Sequence, residues 1–197
     1  MGRPDNGDAR RALLDATREL LEEPGGTDAS MARIARRAGY SRQAIYRHFG
    51  SRAGLLKATL ADIDERGDAE AAVARIREAD DPGSELEALV AWWADYVAGF
   101  AGVARSVYAG RAVDAGLAAA WDDRMEALMT VCRLVVSDCA RAGALRPGLS
   151  RGAAAELLWG LLSIPLWDQL RTDRGWSRAE YAQRVGLAAG AALLDPA

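Results

Sequence analysis

Apolar residues recur every three or four positions along most of the chain, which is the spacing of one face of an α-helix. A short example lies between Met31 and Ala38, and a longer one runs from Leu86 to Phe100. No run alternates between apolar and polar residues for long enough to predict a sheet. The pattern therefore predicts an all-α protein of about nine helices.

Residues that favour helix ends divide the apolar stretches. The segment Pro24-Gly25-Gly26 should end the first helix, and Pro165 should kink a later one. The helix that begins after Ser51 is expected to continue, or to restart near Gly67, as far as Ala79. Residues 1 to 7 predict a disordered arm from which Arg3 could reach a nucleic acid. The residues predicted to cap helix starts are Asp8, Ser30, Ser41, Ser51, Ser84, Ser150 and Ser177.

The segment from Ser30 to Lys57 predicts two short helices joined by a turn. Gly39 ends the first helix because glycine tolerates the positive φ of a sharp helix exit, and Ser41 caps the second. Two short helices connected through a turn with glycine form a helix-turn-helix. In that motif the second helix enters the major groove of DNA with its N-terminal residues against the base edges.

The same segment carries an unusual charge. It holds seven Arg and Lys residues and no Asp or Glu, so it sums to +7, whereas the whole chain is −3 and the remainder therefore −10. A basic segment on an acidic chain is typical of a surface that binds phosphate, since each neutralised phosphate releases counterions. The alternative is a solvated basic helix face without a partner.

The second helix begins with three residues whose side chains match base edges. Arg42 can bond bidentately to guanine, Gln43 can do so to adenine, and the methyl group of Ala44 can touch a thymine methyl. These three residues are predicted to read the DNA sequence.

The residues that follow are predicted to bind the DNA backbone. Tyr46, Arg47 and His48 have donors that could reach phosphates, or a base in the case of Arg47. The free backbone N–H groups after Ser51, together with Arg52, form a site suited to one more phosphate.

These residues resemble a known family. Ile34-Ala35, Ala38-Gly39, Ser41, Ile45-Tyr46, His48-Phe49 and Ser51-Arg52 are similar to the DNA-binding domain of the TetR family of bacterial transcriptional regulators. The resemblance covers roughly the first 57 residues. It implies base contacts from Arg42, Gln43 and Ala44, and phosphate contacts from Ser30, Tyr46, His48 and Arg52. Arg52 stands where the family usually has lysine, and Tyr40 where it usually has a smaller aliphatic residue.

The resemblance also implies the division of the chain. Residues 1–57 would be a three-helix DNA-binding domain, and residues 58–197 a helical domain for effector binding and dimerisation. In the second domain, aromatic residues and methionines either fill a plain core or line an effector cavity. The ligand-binding candidates are Trp92, Trp93, Tyr96, Phe100, Tyr108, Trp121, Met125 and Trp159.

The last two long predicted helices have more apolar surface than the core of a small second domain needs. They are either interior, or, as the family resemblance favours, they form a four-helix interface between two subunits. A palindromic operator requires such two-fold symmetry. The predicted interface residues are Leu157, Leu161, Trp167, Leu170, Val185, Ala189, Ala192 and Leu193.

Several functional classes are disfavoured by the sequence. The only histidine, His48, lies in the basic segment. A catalytic triad, a His-rich metal site and a Cys-His nucleophile are therefore excluded from the second domain. No enzyme activity and no cofactor are expected. Cys132 and Cys139 are expected to be buried apolar residues, as in a reducing cytoplasm. The longest uncharged run, Leu157 to Trp167, is too short for a membrane span.

The sequence therefore predicts a cytoplasmic homodimeric repressor that binds a pseudo-palindromic operator and is released by a small, largely apolar ligand. One alternative is a regulator controlled by a protein partner or by no ligand. A more distant one is a helical small-molecule carrier or enzyme whose basic segment is incidental.

Overall fold

The structure is a computed structural model that describes residues 6–23 and 29–196. Within that part every regular element is a helix, which confirms the all-α prediction, and none of these helices has the length and apolarity needed to cross a membrane. The helices are α1 (Asn6–Glu22), α2 (Met31–Ala38), α3 (Arg42–Phe49), α4 (Arg52–Arg66), α5 (Ala69–Ile76), α6 (Pro82–Ala98), α7 (Ala101–Gly110), α8 (Ala115–Arg141), α9 (Arg151–Leu161), α10 (Ile164–Asp168) and α11 (Arg178–Leu193). The predicted contact of Arg3 and the helix end at Pro24-Gly25-Gly26 lie outside the described residues.

Most of the predicted helix starts are confirmed. The hydroxyl groups of Ser30, Ser41, Ser51, Ser150 and Ser177 each accept a hydrogen bond from a backbone N–H in the first turn of the following helix. Ser177 also forms a reciprocal capping box with Glu180.

Two predicted caps are wrong. Helix α1 begins at Asn6, so Asp8 lies inside its first turn. Helix α6 begins at Pro82, and its cap is Asp81, whose carboxylate accepts from the N–H groups of Gly83 and Ser84. Pro82 suits the first position because its missing N–H would have had no partner there.

Two predicted helices are each divided, which raises the number from about nine to eleven in the described part of the chain. The restart near Gly67 occurs, with Asp68 as the cap of α5. Near Pro165 the chain does not kink a continuous helix. Instead α9 ends at Leu161 and α10 starts afresh with Ser163 as its cap, so that Pro165 lies in the first turn, where it is tolerated. A π-helical turn, Gln169–Asp173, follows.

The chain forms two compact units. The first consists of the residues up to Gly67 together with Phe100–Asp123, and the second of Asp68–Gly99 together with Arg124–Ala197. Helices α7 and the beginning of α8 thus belong to the same unit as the helix-turn-helix. The division at residue 57 between DNA binding and effector binding is a functional one and stays a prediction.

In the first unit, α1 packs against α2, α4 and α7. The core contains fully buried leucine and isoleucine side chains: Leu13, Leu20, Ile34, Ile45 and Leu55.

The junction of α1 with α7 is especially close. A Cβ atom on Gly102 would lie 1.9 Å from the carbonyl oxygen of Leu21, so only glycine fits there. Oε1 of Glu22 accepts hydrogen bonds from the N–H groups of Gly102 at 2.8 Å and Val103 at 3.3 Å. Glu22 therefore caps α7, whose own N-cap residue, Phe100, provides no side-chain hydrogen bond.

In the second unit, α11 packs along α6 and also contacts α9. Its core contains fully buried side chains that include Leu86, Leu89, Val135, Leu158 and Tyr181. Cys132 and Cys139 are buried and unpaired to each other, as expected, and burial raises the pKa of Cys132 to about 12 and that of Cys139 to about 11.

One charged residue lies inside the second unit. Glu85 of α6 is 5% exposed, and its Oε1 has no hydrogen-bond partner among the described residues. Burial, and secondly the charge of Asp138, raise its pKa to about 7. Asp138 itself accepts hydrogen bonds from Nε of Arg77 at 2.5 Å and Nη2 of Arg77 at 3.1 Å, and lies 2.7 Å from Nη2 of Arg141.

Candidate functional site

The predicted helix-turn-helix is present. The backbone N–H of Arg33 donates to Oγ of Ser30 at 3.3 Å at the start of α2. Gly39 ends α2 in the left-handed region, with φ of 76°. The N–H of Ala44 then donates to Oγ of Ser41 at 3.2 Å and fixes the start of α3. The two helices pack on each other and against α1, as the three-helix prediction requires.

The outer face of α3 carries four polar side chains. Arg42, Gln43 and Arg47 are exposed, and Tyr46 is 46% exposed. Arg42 and Gln43 are neighbours, and Tyr46 and Arg47 follow one helical turn later. All four side chains therefore share one face of α3. This face presents the guanidinium, amide and phenol donors that base edges and phosphates accept.

The expected role of Ala44 needs correction. Ala44 is only 5% exposed and lies with Ile45 on the buried side of α3. Its methyl group therefore packs inside the domain, and it is not available to touch a thymine. Sequence spacing could have indicated this, because Ala44 and Ile45 lie between the two exposed pairs.

His48 is half-buried at the end of α3. Its ring lies 5.9 Å from that of Phe49, and its Nε2 is buried without a hydrogen-bond partner among the described residues. A phosphate contact from His48 stays a prediction.

The start of α4 lies close against the end of α3. Oγ of Ser51 accepts from the N–H of Gly54 at 3.0 Å. A Cβ atom on Gly54 would lie 2.0 Å from the carbonyl oxygen of Phe49, which makes glycine necessary there. The sequence pattern does not indicate this requirement, since a glycine inside a helix pattern does not reveal its neighbour.

Arg52 is half-buried and donates through Nη1 to the carbonyl oxygen of Ala29. A carbonyl does not neutralise the guanidinium charge, and the other N–H groups of Arg52 can still donate. Its predicted phosphate contact stays a prediction.

Part of the basic charge is balanced inside the domain. Arg33 forms an ion pair with Glu23 on the other side of the first interhelical connection. Arg37 forms ion pairs with Glu19 at 3.2 Å and Glu23 at 2.7 Å. The hydrogen bond from Arg37 lowers the pKa of Glu23. The charge of +7 counted for the segment therefore overstates what the folded surface offers.

Three ligand candidates of the second unit lie together on α6. Trp92 stacks on Tyr96, with ring centroids 5.1 Å apart, and Trp93 is buried beside them. Nη1 of Arg124 donates to the phenol oxygen of Tyr96 at 3.2 Å. In a separate contact, Nε1 of Trp159 donates to the carbonyl oxygen of Met125 at 3.2 Å.

The other ligand candidates belong to the first unit. Tyr108 meets Trp121 edge to face at 4.8 Å, and the guanidinium of Arg111 lies 3.4 Å from the centre of the Tyr108 ring. Phe100 is fully buried. The candidates thus divide between the two units, and their contact with a ligand stays a prediction.

The predicted dimer residues also divide into two sets. Trp167, Val185, Ala189 and Leu193 are buried in the single chain, because α11 packs along α6 and Trp167 meets Tyr181 at 4.8 Å. The structure corrects these four to core residues of the second unit. Leu157 is 47% exposed, and Leu161, Leu170 and Ala192 are half-buried, so these four keep surface for a second copy.

No group of three or more potential metal ligands occurs among the described residues.

The comparison with known proteins identifies the type of the N-terminal domain. Residues 13–59 match the sequence model for bacterial regulatory proteins of the tetR family. Residues 13–59 of the chain thus form a DNA-binding domain of the TetR type. The TetR-family match ends within α4, so it covers all of the helix-turn-helix.

A curated relative supports the same domain. The HTH-type transcriptional regulator BetI of Escherichia coli is 52% identical over 54 residues, which are 27% of this chain and 28% of the relative. The chain thus matches little more than a quarter of the relative's length.

Solved structures extend the likeness to the whole fold. A protein from Saccharomonospora viridis in complex with choline has a TM-score of 0.76 at 17% identity, covering 96% of this chain and 100% of its own. The transcriptional regulator FadR from Bacillus subtilis in complex with stearoyl-CoA has a TM-score of 0.72 at 16% identity, covering 92% and 98%. At these identities the likeness establishes the fold alone.

Proposed function

We propose that the chain is a transcriptional repressor that binds a pseudo-palindromic operator as a homodimer and is released by a small, largely apolar ligand. The observation that carries the proposal is the outer face of α3, where Arg42 and Gln43 are exposed in the first turn after the Ser41 cap. The first turn of the second helix of a helix-turn-helix is the part that meets base edges.

The assignment of a ligand rests on the second domain and on the neighbours in fold. Stacked Trp92 and Tyr96 are both partly exposed, and aromatic faces of this kind suit an apolar molecule. The two solved neighbours hold choline and stearoyl-CoA, so the fold accommodates small molecules in those proteins. A ligand can weaken DNA binding here only by binding the state with wrongly spaced reading helices more tightly.

The dimer supplies the two reading helices that successive major grooves require, about 34 to 36 Å apart. Leu157 of α9 and the half-buried residues Leu161 and Leu170 are the surface that supports this part of the proposal.

The test of DNA binding is a gel shift with the DNA that flanks the gene for this chain, followed by substitutions in α3. Arg42→Ala or Gln43→Ala should each cost about 1 to 3 kcal/mol and relax the preference at one base position. Arg52→Ala should weaken binding to all sequences alike. An equal loss of sequence preference from all three variants would contradict these roles.

The test of the ligand uses Trp92→Ala. The variant should bind the operator as the parent does, but should need a higher concentration of the releasing compound. Release at the parental concentration would assign Trp92 to the core of the unit.

A further inference from the structure

The seven cations of the basic segment are not equivalent in the folded domain. Arg33 and Arg37 on α2 point to α1 and form ion pairs with Glu19 and Glu23. Arg36, on the same helix, is exposed, and its side chain forms no ion pair or hydrogen bond within residues 6–23 and 29–196. The exposed Arg42 and Arg47 of α3 also lack an ionic partner in that part of the chain.

Helix geometry places these arginines on different sides of α2. Successive residues are about 100° apart around a helix, so Arg33 and Arg37 are about 40° apart on the side next to α1. Arg36 lies about 100° from Arg37, on the far side of Arg33 and almost opposite the buried residue Ile34. The first helix of a helix-turn-helix crosses the DNA backbone, so an outward cation on it faces phosphates.

We infer that Arg36 is a phosphate-binding residue of this domain, whereas Glu19 and Glu23 of α1 hold Arg33 and Arg37 away from the DNA. The inference rests on the proposed DNA binding and adds to it a phosphate contact outside α3 and two positioning carboxylates. A cation that is already paired with a carboxylate releases no DNA counterion when the complex forms, because its own charge is balanced before and after.

The salt dependence of DNA affinity tests the inference, because it counts the phosphates that the protein neutralises. Each one contributes about −0.9 to the slope of log affinity against log salt concentration. The probe is a fluorescent random-sequence DNA duplex, because the operator is not needed for phosphate contacts. Arg36→Ala and Arg37→Ala form a matched pair, since neighbouring residues of one helix lose the same charge.

The expected result is that Arg36→Ala flattens the slope by about 1 for each protomer bound, whereas Arg37→Ala leaves the slope at the parental value. Thermal unfolding of both variants controls for the fold. Should Arg37→Ala be unstable, the double variant Glu19→Gln/Glu23→Gln replaces it. That variant retains both arginines and should bind the duplex more tightly at low salt, because two cations lose their partners.

Equal flattening by Arg36→Ala and Arg37→Ala would overturn the inference while leaving DNA binding intact. An unchanged affinity of the Glu19→Gln/Glu23→Gln variant would overturn the role of the two carboxylates. A parent protein that binds no duplex at any salt concentration would overturn the proposed function, and the inference with it.

Discussion

Each compact unit contains a glutamate withdrawn from solvent, half-buried Glu22 in the first and buried Glu85 in the second, and the two have different hydrogen-bond partners. Glu22 in the first unit accepts two backbone hydrogen bonds at the start of α7. Glu85 in the second unit leaves Oε1 without a partner and lies near a second carboxylate, Asp138. A buried acceptor with partners stabilises its surroundings, whereas one without partners favours protonation. Burial raises the pKa of both carboxyl groups, but the N–H groups of Gly102 and Val103 oppose the rise at Glu22, whereas the pKa of Glu85 reaches about 7. The second unit should therefore respond more strongly to pH near neutrality.

The largest effect should come from breaking the geometry of the first unit. In Gly102→Ala the new Cβ would lie 1.9 Å from the carbonyl oxygen of Leu21, so α1 and α7 must separate. We expect a loss of at least about 3 kcal/mol, at the upper end of overpacking costs. Thermal unfolding measures the loss, and hydrogen exchange should assign it to peptides of the first unit.

The matched control for Gly102→Ala is Gly160→Ala in α9, where a Cβ meets nothing within 4 Å. That variant should be neutral or more stable by up to about 1 kcal/mol, because alanine favours the helix. If the two alanine variants had equal stability, the close contact of α1 with α7 would be refuted.

The next effect concerns the pH response of the second unit. The pKa of Glu85 is raised from 4.5 in a model peptide to about 7 in the folded chain, so the folded state retains a proton that the unfolded state has lost between these values. The proton on Glu85 therefore stabilises the folded state. This stabilisation is complete below pH 4.5 and is lost as pH rises through 7. It amounts to at most about 3 kcal/mol.

Glu85→Gln isolates that contribution, since an amide does not titrate. Urea unfolding of the parent and of the variant should give a difference in stability that changes between pH 4.5 and 7 and is constant above. The exposed Glu87→Gln, on the same helix, is the control. A difference between parent and Glu85→Gln that does not vary with pH would mean that Glu85 ionises normally.

A smaller effect is expected from Glu22. Glu22→Ala removes the acceptor for two N–H groups of α7 and should cost about 1 kcal/mol, as the loss of a helix cap does. Glu22→Gln keeps one acceptor oxygen and should lose less. The exposed Glu65→Ala, on α4 of the same unit, is the control for a lost surface charge. Equal stability of Glu22→Ala and Glu65→Ala would remove the capping role.

The smallest change is expected at the two thiols of the second unit. Cys132 and Cys139 are fully buried, and burial raises both pKa values to about 11 or 12. Since the thiolate is the reactive form, iodoacetamide should label the native protein only as fast as it opens. Urea-denatured protein is the positive control. Rapid labelling of native protein at neutral pH would show that the core of this unit is open.

The two units also differ in how well the sequence predicted them. Serine caps at Ser30, Ser41 and Ser51 defined the helix-turn-helix because each acts on the next few residues of its own chain. The burial of Ala189 and Val185 could not be predicted in this way, since it depends on α6, far away in the sequence.

The ion pairs next to the candidate site could not be predicted from the sequence either. Counting residues identified a basic segment, but the count could not show that Glu19 and Glu23, which precede the segment, pair with two of its arginines. The close approaches at Gly54 and Gly102 were also invisible, because each depends on a carbonyl oxygen of another helix.

The buried position of Ala44 has a consequence for the layout of the operator. The outward residues of α3 form two pairs, Arg42 with Gln43 and Tyr46 with Arg47, separated by two residues that face the core. Four helical residues advance about 6 Å, which is close to two base steps of about 3.4 Å. A base read by Arg47 should therefore lie about two steps from the bases read by Arg42 and Gln43. Randomising the half-site and selecting bound DNA would reveal this spacing.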